Sequence, residues 1–347
     1  MYHSLKVSQV EPVTAEAVTV KFEIPSELAP QFKFKPGQFL GVKTMINGEE
    51  IRRSYSICSS VRSGEWQVAI KRVKGGKFST WATQNLSAGM TLEVAEPAGR
   101  FTVNCMSNHE RNYVFVAAGS GITPVMSMIK SILIEEPLSK MILIYGNQSP
   151  AQTLFKNELE SLSEQYSDRF TVKFFNSRSG SENLVRISSE LIAAEVSSVF
   201  DWSNIYGVYL CGPQPMIEAA KSSLPASVGI AEDQIKFELF QIDSKEGVAA
   251  ANTDFEKSKV TVNIDEVDYT FEVEAGANIL SAGLEAGIDI PYSCQGGVCG
   301  TCECTVEEGE VELAQNMVLS DDEVQEGQAL ACQAVPKTAE VKLYFGF

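Results

Sequence analysis

Three of the eight cysteines in this 347-residue chain fall within nine residues, CQGGVCGTC, and a fourth follows in ACQAV. Cys294, Cys299 and Cys302 stand at C-x4-C-x2-C spacing, with Cys332 further along. Thiolates at this spacing hold a [2Fe–2S] cluster, because two irons need four thiolates and three of them must converge from one tight loop. Gly296, Gly297 and Gly300 are expected to let that loop curl through positive φ and bring N–H groups close to the sulfurs. The alternatives are a zinc site or buried thiols. Zinc sites usually show two paired knuckles, whereas one pair and an offset cysteine stand here. Cys304 reads as packing rather than as a ligand.

Other residue sets could hold cofactors. A flavin needs a cation for its phosphate, a flat ring to stack on and a hydroxyl near its reactive nitrogen, and Arg53-Ser54-Tyr55-Ser56 supplies all three. Strand alternation puts Arg53 and Tyr55 on one face and Ser54 and Ser56 on the other. KGGKFSTWATQNL offers a turn at Gly75 and Gly76, then Ser79 and Thr80 at the start of a helix. Amides at a helix start can bind a pyrophosphate, although Ser79 could equally be a simple cap. Gly119-Ser120-Gly121-Ile122-Thr123-Pro124 follows an apolar run, with Pro124 where a dinucleotide fingerprint has its third glycine. Cys211-Gly212-Pro213 follows the apolar run YGVYL, and Arg178 could pair with a 2′-phosphate.

These residues need elements to position them. Up to about residue 107, SLKVSQVEP, AVTVKFEIP, QFLGVKTMI, EEIRRSYSIC, EWQVAIKRV and TLEVAEPAG alternate with period two, and Asn47-Gly48 is a two-residue hairpin signal. A small antiparallel β-barrel is expected there. Residues 108–240 alternate strand and helix, from YVFVAA to KFELF, which predicts an α/β domain with a parallel sheet. In VMSMIKSIL, Val125, Met128, Ile129, Ile132 and Leu133 share a helical face. Residues 241–258 are polar and without period, hence a linker. Residues 259–347 hold strands, a helix and the cysteine loop, an α+β module.

The motifs RRSYSICSS, KGGKFSTWA, G-x-G-x-x-P and CGPQPM together resemble the ferredoxin–NADP+ reductase superfamily, here followed by a module similar to plant-type ferredoxins. The resemblance covers nearly the whole chain and implies FAD, in preference to FMN, and NADPH (or NADH) as cofactors. It implies that Arg53 pairs with the flavin phosphate, Tyr55 lies against the isoalloxazine and Ser56 approaches its N5. By the same resemblance Lys71 and Phe240 lie near the flavin, and Gly76, Ser79 and Thr80 surround its pyrophosphate. Gly119, Gly121, Thr123 and Pro124 would form the pyridine-nucleotide turn. Cys211, Gly212 and Pro213 would meet the nicotinamide, and Arg178 the adenosine ribose. The last module would be a β-grasp ferredoxin domain with Cys294, Cys299, Cys302 and Cys332 as ligands.

The formal charge of −17 is uneven: residues 259–347 carry −14, the remainder −3. An acidic balance argues against nucleic acid, and the acidic surface could steer docking onto a partner protein as well as keep the module soluble. No apolar run is long enough to span a bilayer, and scattered cysteines suit a reducing cytosol. Three modules in this order predict electrons passing from NAD(P)H through a flavin and a [2Fe–2S] cluster to an external acceptor, as in reductases that resupply di-iron oxygenases. Only His3 and His109 occur, with no carboxylate–histidine set, so oxygenation is expected on another protein. The opposed expectation is an electron carrier whose nucleotide domain is inert.

Overall fold

Leu5 and Val7 are buried between exposed Ser4, Lys6 and Ser8, and this alternation makes the first strand. The computed structural model describes residues 2–178, 185–241, 256–264, 266–292 and 294–346. It divides into two units, residues 1–241 and 242–347. Of the expected linker, residues 242–255 lie outside the described residues.

The first unit begins with β1 (Tyr2–Thr14), β2 (Ala17–Glu23), β3 (Phe39–Ile46), β4 (Glu49–Ser56), β5 (Trp66–Lys71), α1 (Lys77–Asn85) and β6 (Thr91–Ala95). The strands form one antiparallel sheet in the order β4-β3-β6-β1-β2-β5. A bridge between Ile57 and Val68 brings its two edges together, so the expected barrel forms. Leu5, Val7, Val20, Leu40, Val42, Val68, Ile70 and Val94 fill its inside. Asn47 (φ 54°) and Gly48 (φ 81°) both turn left-handed between β3 and β4, as a two-residue hairpin matched to strand twist requires.

There follow β7 (Asn112–Ala118), α2 (Ile122–Glu135), β8 (Lys140–Asn147), α3 (Lys156–Gln165), β9 (Phe170–Asn176), α4 (Ser189–Ser197), β10 (Ile205–Pro213), α5 (Gln214–Val228) and β11 (Ile235–Gln241). All pairings are parallel, in the order β11-β10-β7-β8-β9. The chain moves outward from β7 through β8 to β9, then crosses back to β10. The strand order therefore reverses between β7 and β10, where such sheets bind ligands beyond their carboxyl ends. From Tyr113 to Ala117 every residue of β7 is buried, as a central strand covered on both faces demands.

The helical face expected of α2 is buried, but so are Met126, Ser127 and Ser131. The two serines meet the barrel. Ser127 Oγ donates to the Ser59 carbonyl (2.7 Å), and Ser131 Oγ accepts from Val61 N–H (3.2 Å). One apolar cluster runs from barrel residues Ala17, Cys58, Ala69 and Phe101 into α2, β7 and β8. At the other end of α2, Glu136 is fully buried and accepts from Met106 N–H, Tyr113 and Ser139 and pairs with His109 Nδ1 at 2.9 Å. Four partners compensate the desolvation that would otherwise expel a buried carboxylate.

The second unit holds β12 (Lys257–Ile264), β13 (Val267–Glu274), α6 (Ile279–Glu285), β14 (Glu303–Glu308), β15 (Val311–Leu313), α7 (Asp321–Gln325), β16 (Gln328–Leu330), β17 (Ala334–Pro336) and β18 (Glu340–Phe345). Its main sheet runs β13-β12-β18-β14-β16, with β12 and β18 parallel and the other neighbours antiparallel. Helix α6 starts at Asn278, whose side chain accepts from Ser281 N–H (2.8 Å), and buries Ile279 and Leu280. Gly283 lets the helix close on its neighbours, since a Cβ there would lie 2.3 Å from Ile290 Cδ1. The mixed sheet with one packed helix is the expected β-grasp ferredoxin module.

Candidate functional site

The cysteine loop lies between α6 and β14, and Cys332 lies between β16 and β17. The Ala331 N–H donates to the Cys302 carbonyl (2.9 Å), lacing the two segments together. The thiol of Cys294 is within hydrogen-bonding reach of Cys299 and Cys332, and Cys302 of Cys332. Among the described residues no three His, Cys, Asp or Glu groups surround the position of a single ion. The sulfurs instead neighbour one another in the order 299–294–332–302. Four cysteine sulfurs gathered in this way could supply the thiolates that two irons need, so the donor set suits a [2Fe–2S] group in number and softness. Contacts with Cys299 and Cys332 hold the Cys294 thiol below its ordinary value, and Cys332 does the same for Cys302. The reciprocal contact with Cys294 pushes Cys299 and Cys332 up. Cysteine ligands give up their protons on binding metal.

The left-handed residues of this loop are Gln295 (φ 56°), Gly297 (φ 70°) and Gly300 (φ 72°). The expectation for Gly296 is corrected: its neighbour Gln295 makes that turn. Gly296 instead directs its N–H at Cys294 Sγ (3.4 Å), and Thr301 Oγ1 lies 3.2 Å from Cys299 Sγ. Cys304 is buried, with its thiol on the Ala329 carbonyl at 3.6 Å.

In the first unit, β4 and the start of α1 come together. The Tyr55 ring lies 5.5 Å from that of Phe78. Arg53 is exposed, its Nη1 donating to the Arg52 carbonyl at 2.5 Å, and Ser56 is buried. Burial raises the Tyr55 phenol, so it stays neutral. Lys71 ends β5, and partial burial lowers its ammonium. Gly76 is the N-cap residue of α1 and supplies no side-chain cap. Ser79 is therefore not the cap. Its Oγ turns back under Gly76, where a Cβ would lie only 2.6 Å away, and accepts from Val73 N–H (3.1 Å). It folds the glycine turn tightly against the helix start, where the N-cap leaves the first amides without a side-chain partner. The Thr80 N–H closes the first helical bond, on the Gly76 carbonyl (3.2 Å).

The two nucleotide motifs meet where the strand order reverses. A Cβ on Gly121 would lie 2.3 Å from the Cys211 carbonyl oxygen, and one on Gly212 would lie 3.0 Å from Ala118 Cβ. Only glycine allows backbones to approach this closely. Gly119 is left-handed (φ 58°), Thr123 Oγ1 donates to the Ser120 carbonyl (3.1 Å), and Pro124 occupies the first turn of α2, where a missing N–H costs nothing. Pro213 precedes α5. Arg178 follows β9, is exposed, and has its N–H on the Gln148 carbonyl (3.2 Å). Phe240, on β11, packs against the shared apolar cluster.

Sequence reasoning missed two residues. Tyr145 is fully buried and donates to the Gly119 carbonyl (2.9 Å), buttressing the glycine turn; it is the one aromatic in MILIYGN. Glu238 is half-buried as a residue, but its Oε2 is sealed from solvent without a hydrogen-bond partner. Burial pushes its carboxyl up to about 8. It neighbours Cys211, whose thiol is raised by burial and by this carboxylate. A lone acid within the apolar KFELF strand was the available signal.

A barrel carrying R-x-Y-S, a parallel sheet with paired glycine motifs and a four-cysteine module define a flavin iron–sulfur oxidoreductase. Family models agree: an oxidoreductase FAD-binding domain matches residues 4–103, an oxidoreductase NAD-binding domain 115–222 and a 2Fe-2S iron-sulfur cluster binding domain 262–337. The E component of the 1,2-phenylacetyl-CoA epoxidase of Escherichia coli K12 is 37% identical, over 99% of this chain and 98% of its own. A 3-ketosteroid-9-alpha-monooxygenase ferredoxin reductase component of Rhodococcus rhodochrous is 33% identical over 98% and 96%. The solved structure of phthalate dioxygenase reductase is similar with a TM-score of 0.57 at 26% identity, covering 99% of this chain and 98% of that one. The chain belongs to the family of reductase components of multicomponent oxygenases that use FAD, NAD(P)H and a [2Fe–2S] cluster. No helix among the described residues is long and apolar enough to cross a membrane.

Proposed function

We propose that this chain draws electrons from NADPH and delivers them to the di-iron phenylacetyl-CoA epoxidase of phenylacetate catabolism. The observation that carries the reading is the 37% identity to a component of that epoxidase, which runs through all three modules. When bound, the nicotinamide supplies a hydride, the flavin divides the electron pair and the cluster passes single electrons onward. In this reading Arg53 holds the flavin phosphate, Tyr55 covers the ring and Ser56 offers its hydroxyl. The amides at the start of α1 take the pyrophosphate, and Gly119 to Pro124, with Cys211 and Gly212, line the nicotinamide site. Cys294, Cys299, Cys302 and Cys332 ligate the irons. None of the eight cysteines is paired in a disulfide, which supports action in a reducing cytosol. The two histidines pair with Glu96 and Glu136, which supports oxygenation on a separate protein.

The test is reconstitution. The purified chain is mixed with the oxygenase part of phenylacetyl-CoA epoxidase, phenylacetyl-CoA and NADPH, and epoxide formation is followed against nucleotide consumption. Coupled turnover supports the proposal. Turnover with a steroid 9α-hydroxylase oxygenase but not with the epoxidase would transfer the chain to that second reading, which the 33% identity favours. The inert-carrier reading predicts that neither nicotinamide bleaches the flavin band in anaerobic stopped flow. The close packing of Gly121 on Cys211 counts against it.

A further inference from the structure

We infer that Gln333 is a positioning residue of the iron–sulfur site: its side-chain amide clamps the ligand loop to the segment bearing Cys332 and raises the cluster's reduction potential. The inference rests on the four-cysteine ligand set. Three ligands come from one loop and the fourth from a separate segment, so something must fix the distance between the two. Gln333 Nε2 lies 3.0 Å from the Gln295 carbonyl and 3.8 Å from Cys332 Sγ. One amide nitrogen carries two N–H groups, enough to serve both acceptors. The first contact reaches the left-handed residue beside Cys294. The second points an N–H at the fourth ligand.

The clamp is itself held. The Gln333 N–H donates to the Leu330 carbonyl (2.8 Å), and its carbonyl accepts from Ala314 N–H (2.9 Å). Its stem lies over Gly297, where a Cβ would come within 2.9 Å of Gln333 Cγ. Gly297 thus both turns left-handed and makes room for the glutamine. Cys294 takes a donor from within the loop, Gly296 N–H, and Cys299 has the Thr301 hydroxyl beside it. Gln333 gives Cys332 a donor from outside it. An N–H aimed at a thiolate stabilises the more negative, reduced cluster, so its removal lowers the potential.

The experiment compares full-length wild type with Gln333→Leu, which keeps volume and removes both donors, and Gln333→Glu, which keeps shape and loses the donors when ionised. Iron and sulfide are quantified, and cluster and flavin potentials are titrated anaerobically by optical and EPR readout. In both variants the reduced-to-oxidised cluster ratio at a fixed potential should fall about tenfold, equivalent to ~59 mV for a one-electron couple. The flavin couple should not move. Loss of the cluster from both variants with the flavin retained also supports the clamp. Iron-replete variants with an unshifted cluster potential overturn it. Wild-type protein lacking a reduced [2Fe–2S] EPR signal would instead overturn the ligand set, and the clamp with it.

Discussion

Cys211 and Glu238 face each other in register across the parallel pair β10–β11, and the Glu238 carboxyl has one oxygen sealed from solvent without a partner. Isolation of this kind favours the protonated form. The unfolded chain loses the proton near 4.5, the folded chain only near 8. Stability contributed by this group therefore falls as pH rises from about 4.5 to about 8, then levels off. Glu238→Gln should match wild type near pH 5 and unfold at a higher temperature than wild type at pH 9. A Tm difference that stays constant across that range would refute the assignment.

Gly121→Ala should separate binding of the nucleotide from binding of the flavin. The added methyl would meet backbone atoms of Cys211, which no rotamer change can move aside. Relief requires β7 and β10 to part at their carboxyl ends. We expect kcat/KM for NAD(P)H to fall roughly ten- to a hundredfold, the cost of overpacking. The flavin absorbance should persist. Unchanged steady-state kinetics would contradict the close approach.

Arg178→Ala tests the choice of nucleotide. A guanidinium on a 2′-phosphate is a charge-assisted contact, and its loss should raise KM for NADPH by roughly tenfold while leaving NADH nearly alone. Equal effects on the two nucleotides would remove Arg178 from the 2′-phosphate.

Cys332→Ser and Cys304→Ser make opposite predictions for two buried thiols. The first should lose the [2Fe–2S] EPR signal yet still pass electrons from NAD(P)H to artificial dyes through the flavin. The second should keep the signal, because the Cys304 thiol points to the Ala329 carbonyl. A full signal in Cys332→Ser would disprove its role as a ligand.

What was legible in the sequence was local. Asn47-Gly48 specifies a turn because both residues tolerate positive φ, and the turn forms. Period two marked the strands of the barrel, and βα alternation marked the parallel sheet. Where chain segments distant in sequence meet, reading failed. Ser127 and Ser131 lie outside the apolar face read from α2, yet they are buried where the barrel supplies Ser59 and Val61 as partners. A simple cap was the alternative reading of Ser79, but its hydroxyl serves Val73. Gly296 looked like the left-handed residue because glycine is the usual choice; Gln295 takes that conformation while the Gln333 side chain holds its carbonyl. The parallel partnership of β12 with β18 has no sequence signature, since it joins strands separated by nearly the whole module.

That partnership also orders events during synthesis. Strand β18 sits between β12 and β14, so residues up to 345 must leave the ribosome before the sheet can assemble. The flavin and nucleotide unit, finished much earlier in the chain, is free to fold while translation continues. Iron–sulfur loading is then a late step, waiting on a strand made after the last of its ligands.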